Sequence, residues 1–237
     1  MAKKVTQMIE EQIQFWTRKR SAEKSPALSG KKYPIITISR EYSAQGSVLA
    51  DKLGEMLGFK VWDKDLLVII SEKLGSSQEF IKSLDESRRG FLEDTIFGFM
   101  HHRETNLHYL LYLVKAVRAL ERFGNNIIVG RGANYICQKP TSLHIRVVCP
   151  IKDRVERYAP ENNMPREKAM EFMKKKDADR ANFVLHNFNR EVANPSDYDL
   201  VLNSSSYTMD EMVELVINAY ELKTGVKIPI IKQHSYS

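Results

Sequence analysis

Three short segments carry residue types that could handle phosphate. The first, SREYSAQGS from Ser39 to Ser47, lies between an apolar β-branched run and a helical pattern. A phosphate-binding loop occupies that place, presenting backbone N–H groups at a helix N-terminus. Aligned with G-x-x-x-x-G-K-[ST], Arg40 stands at the first glycine, Gln45 at the second, Gly46 at the lysine and Ser47 at the hydroxyl. Only Ser47 matches, so the loop would have to act without its usual cation.

The second segment is GRGANYI, in which Arg131 follows an apolar run and is flanked by two glycines. Glycine lets the backbone approach a ligand closely, and a guanidinium forks onto phosphate oxygens through two parallel hydrogen bonds. The alternative is an arginine paired with a carboxylate across the strand ends. The third is KKKDADRANFVLHNFNR, residues 174–190, where Asp177 and Arg180 share a helical face at i, i+3. They could pair with each other on a solvated face, or the arginine could turn onto a transferring phosphate.

Elements that would place these residues follow from the hydrophobic pattern. PIITIS (34–39), FKVW (59–62), NIIVG (126–130), LHIRVVC (143–149) and YDLVLN (198–203) are strand-like. Between them run helical patterns at about 64–74, much of 78–123, 152–158, 165–190 and 208–223. Thr208 with Glu211 three residues on is a capping box opening the last of these. Strands separated by helices predict a parallel sheet covered on both faces. In such a sheet ligands bind beyond the carboxyl ends of the strands, which also singles out WDKD (62–65), with Asp63, and CPIKDR (149–154).

The chain begins with an amphipathic helix over residues 4–19, whose stripe Val5, Met8, Ile9, Ile13 and Trp16 calls for a packing partner, and continues in a linker over 20–34. That partner is the chain's own domain or a second copy of the chain, so a homodimer through this helix is one of the two expectations. Residues 1–34 hold eight Lys/Arg against three Asp/Glu, leaving +5 of the total +6 on this arm and +1 on the remainder. Bulk charge therefore gives the core no reason to bind nucleic acid. No apolar run approaches a membrane span. Two cysteines, Cys137 and Cys149, are too few and too separated for a disulfide scaffold or a CxxC site, which fits a reducing, cytoplasmic compartment. KIPIIKQHSYS is expected to be a loose tail.

Taken together, ITISREYSAQGSVLADKLGEMLGFKVWDKDLL, IIVGRGANYI, DADRANF and NPSDYDLVLNSSSYTMDEMVELV resemble the cytidylate kinase-like family, relatives of the nucleoside monophosphate kinases. The similarity runs from about residue 34 to 223. It implies an α/β fold of P-loop kinase type: a five-stranded parallel sheet flanked by helices over 34–225, a helical insertion at about 64–123, a lid at about 165–190, and a tail over 226–237.

It also implies ATP as donor, Mg²⁺, and a nucleotide acceptor such as CMP. By this resemblance Ser39, Arg40, Ser43, Ala44, Gln45, Gly46 and Ser47 would hold the donor phosphates, with Ser47 on the metal. Arg131 and Asp63 would face the acceptor, while Asp177 and Arg180 correspond to the lid's D-x-x-R. Two departures stand out. The loop lacks the lysine, a loss on the order of 10²–10⁴ in rate unless another cation, such as Arg40, replaces it. WDKDLLVII lacks the serine and arginine of the family's D-S-G-x-x-Y-R, so the long helical segment 91–123, with His101, His102 and His108, is the alternative acceptor wall. Three readings follow: a phosphotransferase, a silent nucleotide-binding sensor or scaffold, and a regulatory or RNA-associated module using the basic arm.

Overall fold

The five apolar runs form strands in the computed structural model, which describes residues 31–63, 103–137 and 142–230. They are β1 (Ile35–Arg40), β2 (Lys60–Trp62), β3 (Asn126–Val129), β4 (Ser142–Val148) and β5 (Leu200–Asn203). All pairings are parallel, in the order β2-β3-β1-β4-β5. The helices are α1 (Gly46–Leu57), α2 (Arg103–Phe123), the single turn α3 (Ala133–Ile136), α4 (Ile151–Glu161), α5 (Arg166–Phe188) and α6 (Met209–Thr224).

Alternation along each strand divides the core in two. Ile36 and Ile38 of β1, Ile127 and Val129 of β3, and Leu143, Ile145 and Val147 of β4 cluster with Leu49 and Leu53 of α1 and Val213, Val216 and Tyr220 of α6. Ile35 and Ile128, one step out of phase, cluster instead with Leu113, Ala116, Val117 and Leu120 of α2. This period of two is what a sheet buried on both sides requires.

Polar groups buried in the sheet are paired. Thr37 Oγ1 lies 2.7 Å from His144 Nδ1, and Ser142 Oγ lies 3.1 Å from His144 Nε2. Asn126 accepts from the Trp62 indole N–H at 2.7 Å and donates to the Leu120 and Gly124 carbonyls, which ties β2 to the end of α2.

β1 stands between β3 and β4, and the chain runs from β1 to one edge at β2, returns through β3, and crosses β1 to build β4 and β5 on the other side. Its carboxyl end therefore opens into the crevice where such sheets bind ligands. Over that crevice α4 and α5 pack on each other through Val155, Ala159, Ala169 and Met173. Tyr42, from the loop after β1, enters their small core, edge-on to Phe172 at 5.4 Å between centroids.

Among the described residues the five expected strands and the helices expected at 152–158, 165–190 and 208–223 are present, with ends moved by one to three residues; the helix expected at about 64–74 lies outside the described residues. Three further points are informative. The turn α3 was not foreseen, because four residues cannot show a helical period. In the C-terminal part of the segment 91–123, Leu113, Ala116, Val117 and Leu120 pack on the sheet as a core helix, while the expected acceptor wall falls with residues 91–102 and the His101, His102 and His108 side chains outside the described residues. The tail is not loose from its start, since Ile228 is 5% exposed and joins the larger core. The N-terminal helix, the linker to residue 30, most of the expected insertion and residues 231–237 lie outside the described residues. Cys137 and Cys149 are free and buried, and burial pushes the Cys137 thiol well up, as for small hydrophobic side chains.

Candidate functional site

The loop after β1 is concave toward the crevice. Ser43 (φ 58°) and Gln45 (φ 63°) adopt left-handed backbone, the alternation that turns successive N–H groups inward. Among the described residues the N–H groups of Ser43, Gln45, Gly46, Ser47 and Val48 meet no protein acceptor; the first return bond of α1 is Leu49 N–H to Gln45 O at 2.9 Å. Gln45 makes no side-chain cap, and the first turn of α1 carries no acidic residue. A helix start with neither cap nor counter-charge, at the carboxyl end of a central strand, is arranged to receive an anion.

Arg40 ends β1 and lies across this helix start. A Cβ added to Gly46 would stand 2.6 Å from Arg40 Cβ and 3.1 Å from its Cγ, so the arginine stem fills the space that any side chain at position 46 would need. The guanidinium reaches Gly130 at the end of β3, where it also leaves no room for a Cβ. Its Nη2 donates to Asp63 Oδ1 at 3.3 Å, and Asp63 Oδ2 accepts from Ser47 Oγ at 3.2 Å. Asp63 also bears on Asp51, whose carboxyl is raised by burial first and then by the charges of Asp63 and Glu55. A hydroxyl and a carboxylate beside an uncapped helix start are hard oxygen donors. They fit Mg²⁺, which takes one or two protein ligands and completes its shell from phosphate and water. No group of three or more His, Cys, Asp or Glu among the described residues offers a fuller metal cage.

The opposite wall is GRGAN. Gly130, Arg131 and Gly132 are all left-handed, at φ 75°, 58° and 62°. Gly132 has no space for a side chain because the Phe188 ring lies against it. Arg131 is held in this strained backbone and, among the described residues, makes no hydrogen bond or ion pair; its Nε is buried without an acceptor. The expected alternative, pairing with a carboxylate across the strand ends, is not what the structure shows. Asn134, 8% exposed, likewise has a buried Nδ2 with no acceptor. Arg146 of β4 is 7% exposed and donates to Ser39 Oγ at 3.0 Å, 5.8 Å from the Tyr198 ring centroid.

α4 and α5 send charged side chains onto the loop's backbone. Asp177 accepts from the Tyr42 N–H at 2.6 Å and from Arg154 Nη1 at 2.6 Å. Arg154 Nη1 also donates to Tyr42 O, and Arg157 Nη2 donates to Ser43 O at 2.6 Å. Arg180 Nη1 donates to Arg40 O at 3.2 Å, and its guanidinium lies 5.2 Å from the Tyr42 ring centroid. The i, i+3 spacing of Asp177 and Arg180 does not make them partners, because Asp177 turns to Arg154 on the neighbouring helix.

Ser39, Arg40, Arg131, Asp177 and Arg180 line one crevice, with Arg146, Lys176 and Asn134 beside them. Asp63 and Ser47 join it through Arg40. Ser43, Gln45 and Gly46 follow Arg40 along the same loop, while Ala44 is buried in the core at 1% exposure. Sequence reasoning missed Arg146, Arg154, Arg157, Asn134 and Lys176. Arg146 left a signal, a charge inside an otherwise apolar strand. Arg154 lay in the CPIKDR segment already singled out, but its partner could not be read from spacing.

Known proteins resemble this chain at the level of family, of solved structure and of curated sequence. A model of the cytidylate kinase-like family matches residues 35–206. A crystal structure of an uncharacterized protein from Eubacterium ventriosum aligns with a TM-score of 0.57 at 19% identity, covering 79% of this chain and 98% of that one. Shikimate kinases from Acinetobacter baumannii (12% identity; 81% of this chain, 96% of that one) and Bacteroides thetaiotaomicron (13%; 79% and 98%) align at 0.44. Among curated proteins, the uronate isomerase of Corynebacterium glutamicum is 28% identical over 106 residues, 44% of this chain and 20% of the isomerase. The chain thus spans about a fifth of the length of that curated relative.

Proposed function

This chain belongs to the cytidylate kinase-like family, and on that premise we propose that it is a phosphotransferase. It moves the terminal phosphoryl group of ATP to a nucleoside monophosphate, CMP or a related nucleotide. The observation that carries the proposal is the acceptor-free row of N–H groups at Ser43 and Gln45 to Val48, together with the unpartnered Arg131 in a crevice that the start of the same loop, Ser39 to Glu41, also lines. One wall suits the phosphates of a donor and the other a single anionic group of an acceptor.

The loop N–H groups hold the donor's β- and γ-phosphates as fixed dipoles that need no reorganisation during transfer. Ser47 and Asp63 would hold Mg²⁺, which supplies charge neutralisation on the donor oxygens when bound. Arg131, already desolvated at Nε, forks onto the acceptor phosphate and orients its attacking oxygen in line. Arg180, held over the loop by the Arg40 carbonyl, is placed to follow charge onto the migrating phosphoryl group. Asp177 works through Tyr42 and Arg154, keeping the loop in its concave shape.

The absence of a lysine at position 46 favours a second reading, a nucleotide-binding protein without turnover. A coupled ADP-release assay with ATP, Mg²⁺ and each of CMP, dCMP, UMP, AMP and GMP separates the two. Turnover with one acceptor, lowered about 10–100-fold in kcat/KM by Arg131→Ala, supports transfer. Thermal stabilisation by ATP with no turnover on any acceptor selects the second reading.

A further inference from the structure

We propose that Arg40 and Gly46 are a coupled exchange: the phosphate-directed cation that the P-loop pattern places at the helix start is carried here by Arg40 at the end of β1. The inference rests on the phosphotransfer reading only in taking the ligand to be a nucleoside polyphosphate.

The steric half is direct. In G-x-x-x-x-G-K-[ST] the first position is glycine and the seventh lysine; here the first is Arg40 and the seventh Gly46. With Arg40 Cβ at 2.6 Å from a Cβ at position 46, both residues cannot carry side chains on this backbone. The blocking atom is the root of the arginine, fixed by the strand, so it cannot swing aside. Glycine at 46 is therefore what any side chain at 40 demands on this backbone, so the missing lysine goes with the side chain at the loop's first position.

The electrostatic half follows from where the guanidinium goes. It crosses above the helix start to Gly130 at the end of β3 and to Asp63 after β2, while Asp63 also binds Ser47. The charge thus stands among the loop, the metal-type oxygen pair and the base of the Arg131 wall. A lysine starting at position 46 reaches outward from the helix; Arg40 approaches the same anion from the strand. Its planar fork gives two donors where an ammonium gives a point charge.

The test uses the full chain as wild type, Arg40→Ala, Arg40→Lys, Gly46→Lys and the double exchange Arg40→Gly/Gly46→Lys. ATP and adenosine affinities with Mg²⁺ are measured by calorimetry and melting temperatures by scanning. Arg40→Ala is expected to weaken ATP roughly 10–100-fold with adenosine unchanged, and Arg40→Lys to lose less. Gly46→Lys alone should lower the melting temperature. The double exchange should recover it and bind ATP within about tenfold of wild type.

Several results would overturn the exchange: Arg40→Ala binding ATP like wild type, Arg40→Lys losing as much as Arg40→Ala, or Gly46→Lys melting unchanged beside Arg40. Wild type that binds ATP but turns over no acceptor sinks the phosphotransfer reading and leaves the exchange standing. Wild type that binds no ATP sinks both.

Discussion

Arg131 combines two features that stability alone would remove: a left-handed backbone at a non-glycine residue and a buried Nε without an acceptor. Each costs on the order of 1–3 kcal/mol. Their persistence at one residue, flanked by glycines that already tolerate the conformation, points to selection for a ligand. Arg131→Gly should therefore raise the melting temperature while lowering kcat/KM about 10–100-fold, as Arg131→Ala does; a variant that melts earlier would mean that the side chain holds the fold. Asn126 shows the opposite logic. It satisfies the Trp62 indole and two carbonyls in the interior, so Asn126→Ala should lose about 2–4 kcal/mol in denaturant unfolding with unchanged nucleotide affinity per folded molecule.

At the scale of elements, the loop is shaped from outside. Asp177, Arg154, Arg157 and Arg180 engage its backbone, and Arg154 is 5% exposed. Asp177→Ala would leave that guanidinium short of its main counter-charge, an expected loss of about 2–4 kcal/mol. Its ATP affinity should also weaken as the loop relaxes. The start of α6 offers a milder test. Thr208 and Glu211 form a full capping box, and the Thr208 N–H and hydroxyl hold the Glu211 carboxyl below its usual range. A carboxyl lowered in the folded state adds stability above its unfolded pKa and loses it as pH falls through the folded pKa. Thr208→Ala, costing about 1 kcal/mol at neutral pH, should therefore differ less from wild type in acid; a constant difference down to pH 3 would count against the box.

Much of this level was legible in the sequence. Strand positions came from apolar runs, the α6 cap from Thr208 and Glu211, and the loop from its place after β1. What escaped depends on contacts between distant segments. Arg154 and Asp177 are 23 residues apart, and spacing offered Arg180 as a nearer partner that the lid's geometry declines. The blocked position at Gly46 depends on the direction in which Arg40 leaves its strand, which no pattern of residue types reports.

The whole molecule is a parallel sheet with its two cores sealed by α1 and α6 on one face and α2 on the other, leaving the crevice at the strand ends as the place for chemistry. Ligand binding should therefore couple to global stability by mass action: ATP at about 100 times its Kd adds about 2.7 kcal/mol to unfolding. No such gain in wild type, with Arg131→Ala equally unresponsive, would remove nucleotide binding altogether. The basic arm before residue 34 makes a separate expectation. Gel filtration of the full chain against a 34–237 truncation should show the larger species only with the arm if its apolar stripe joins two copies.

The lid's grip on the loop bears finally on speed. A loop already bent by Asp177, Arg154, Arg157 and Arg180 needs no reshaping of its own backbone to meet a nucleotide. Association should follow a single phase whose rate rises in proportion to ATP concentration and falls with added salt, as expected when charge steers an encounter with a preformed surface.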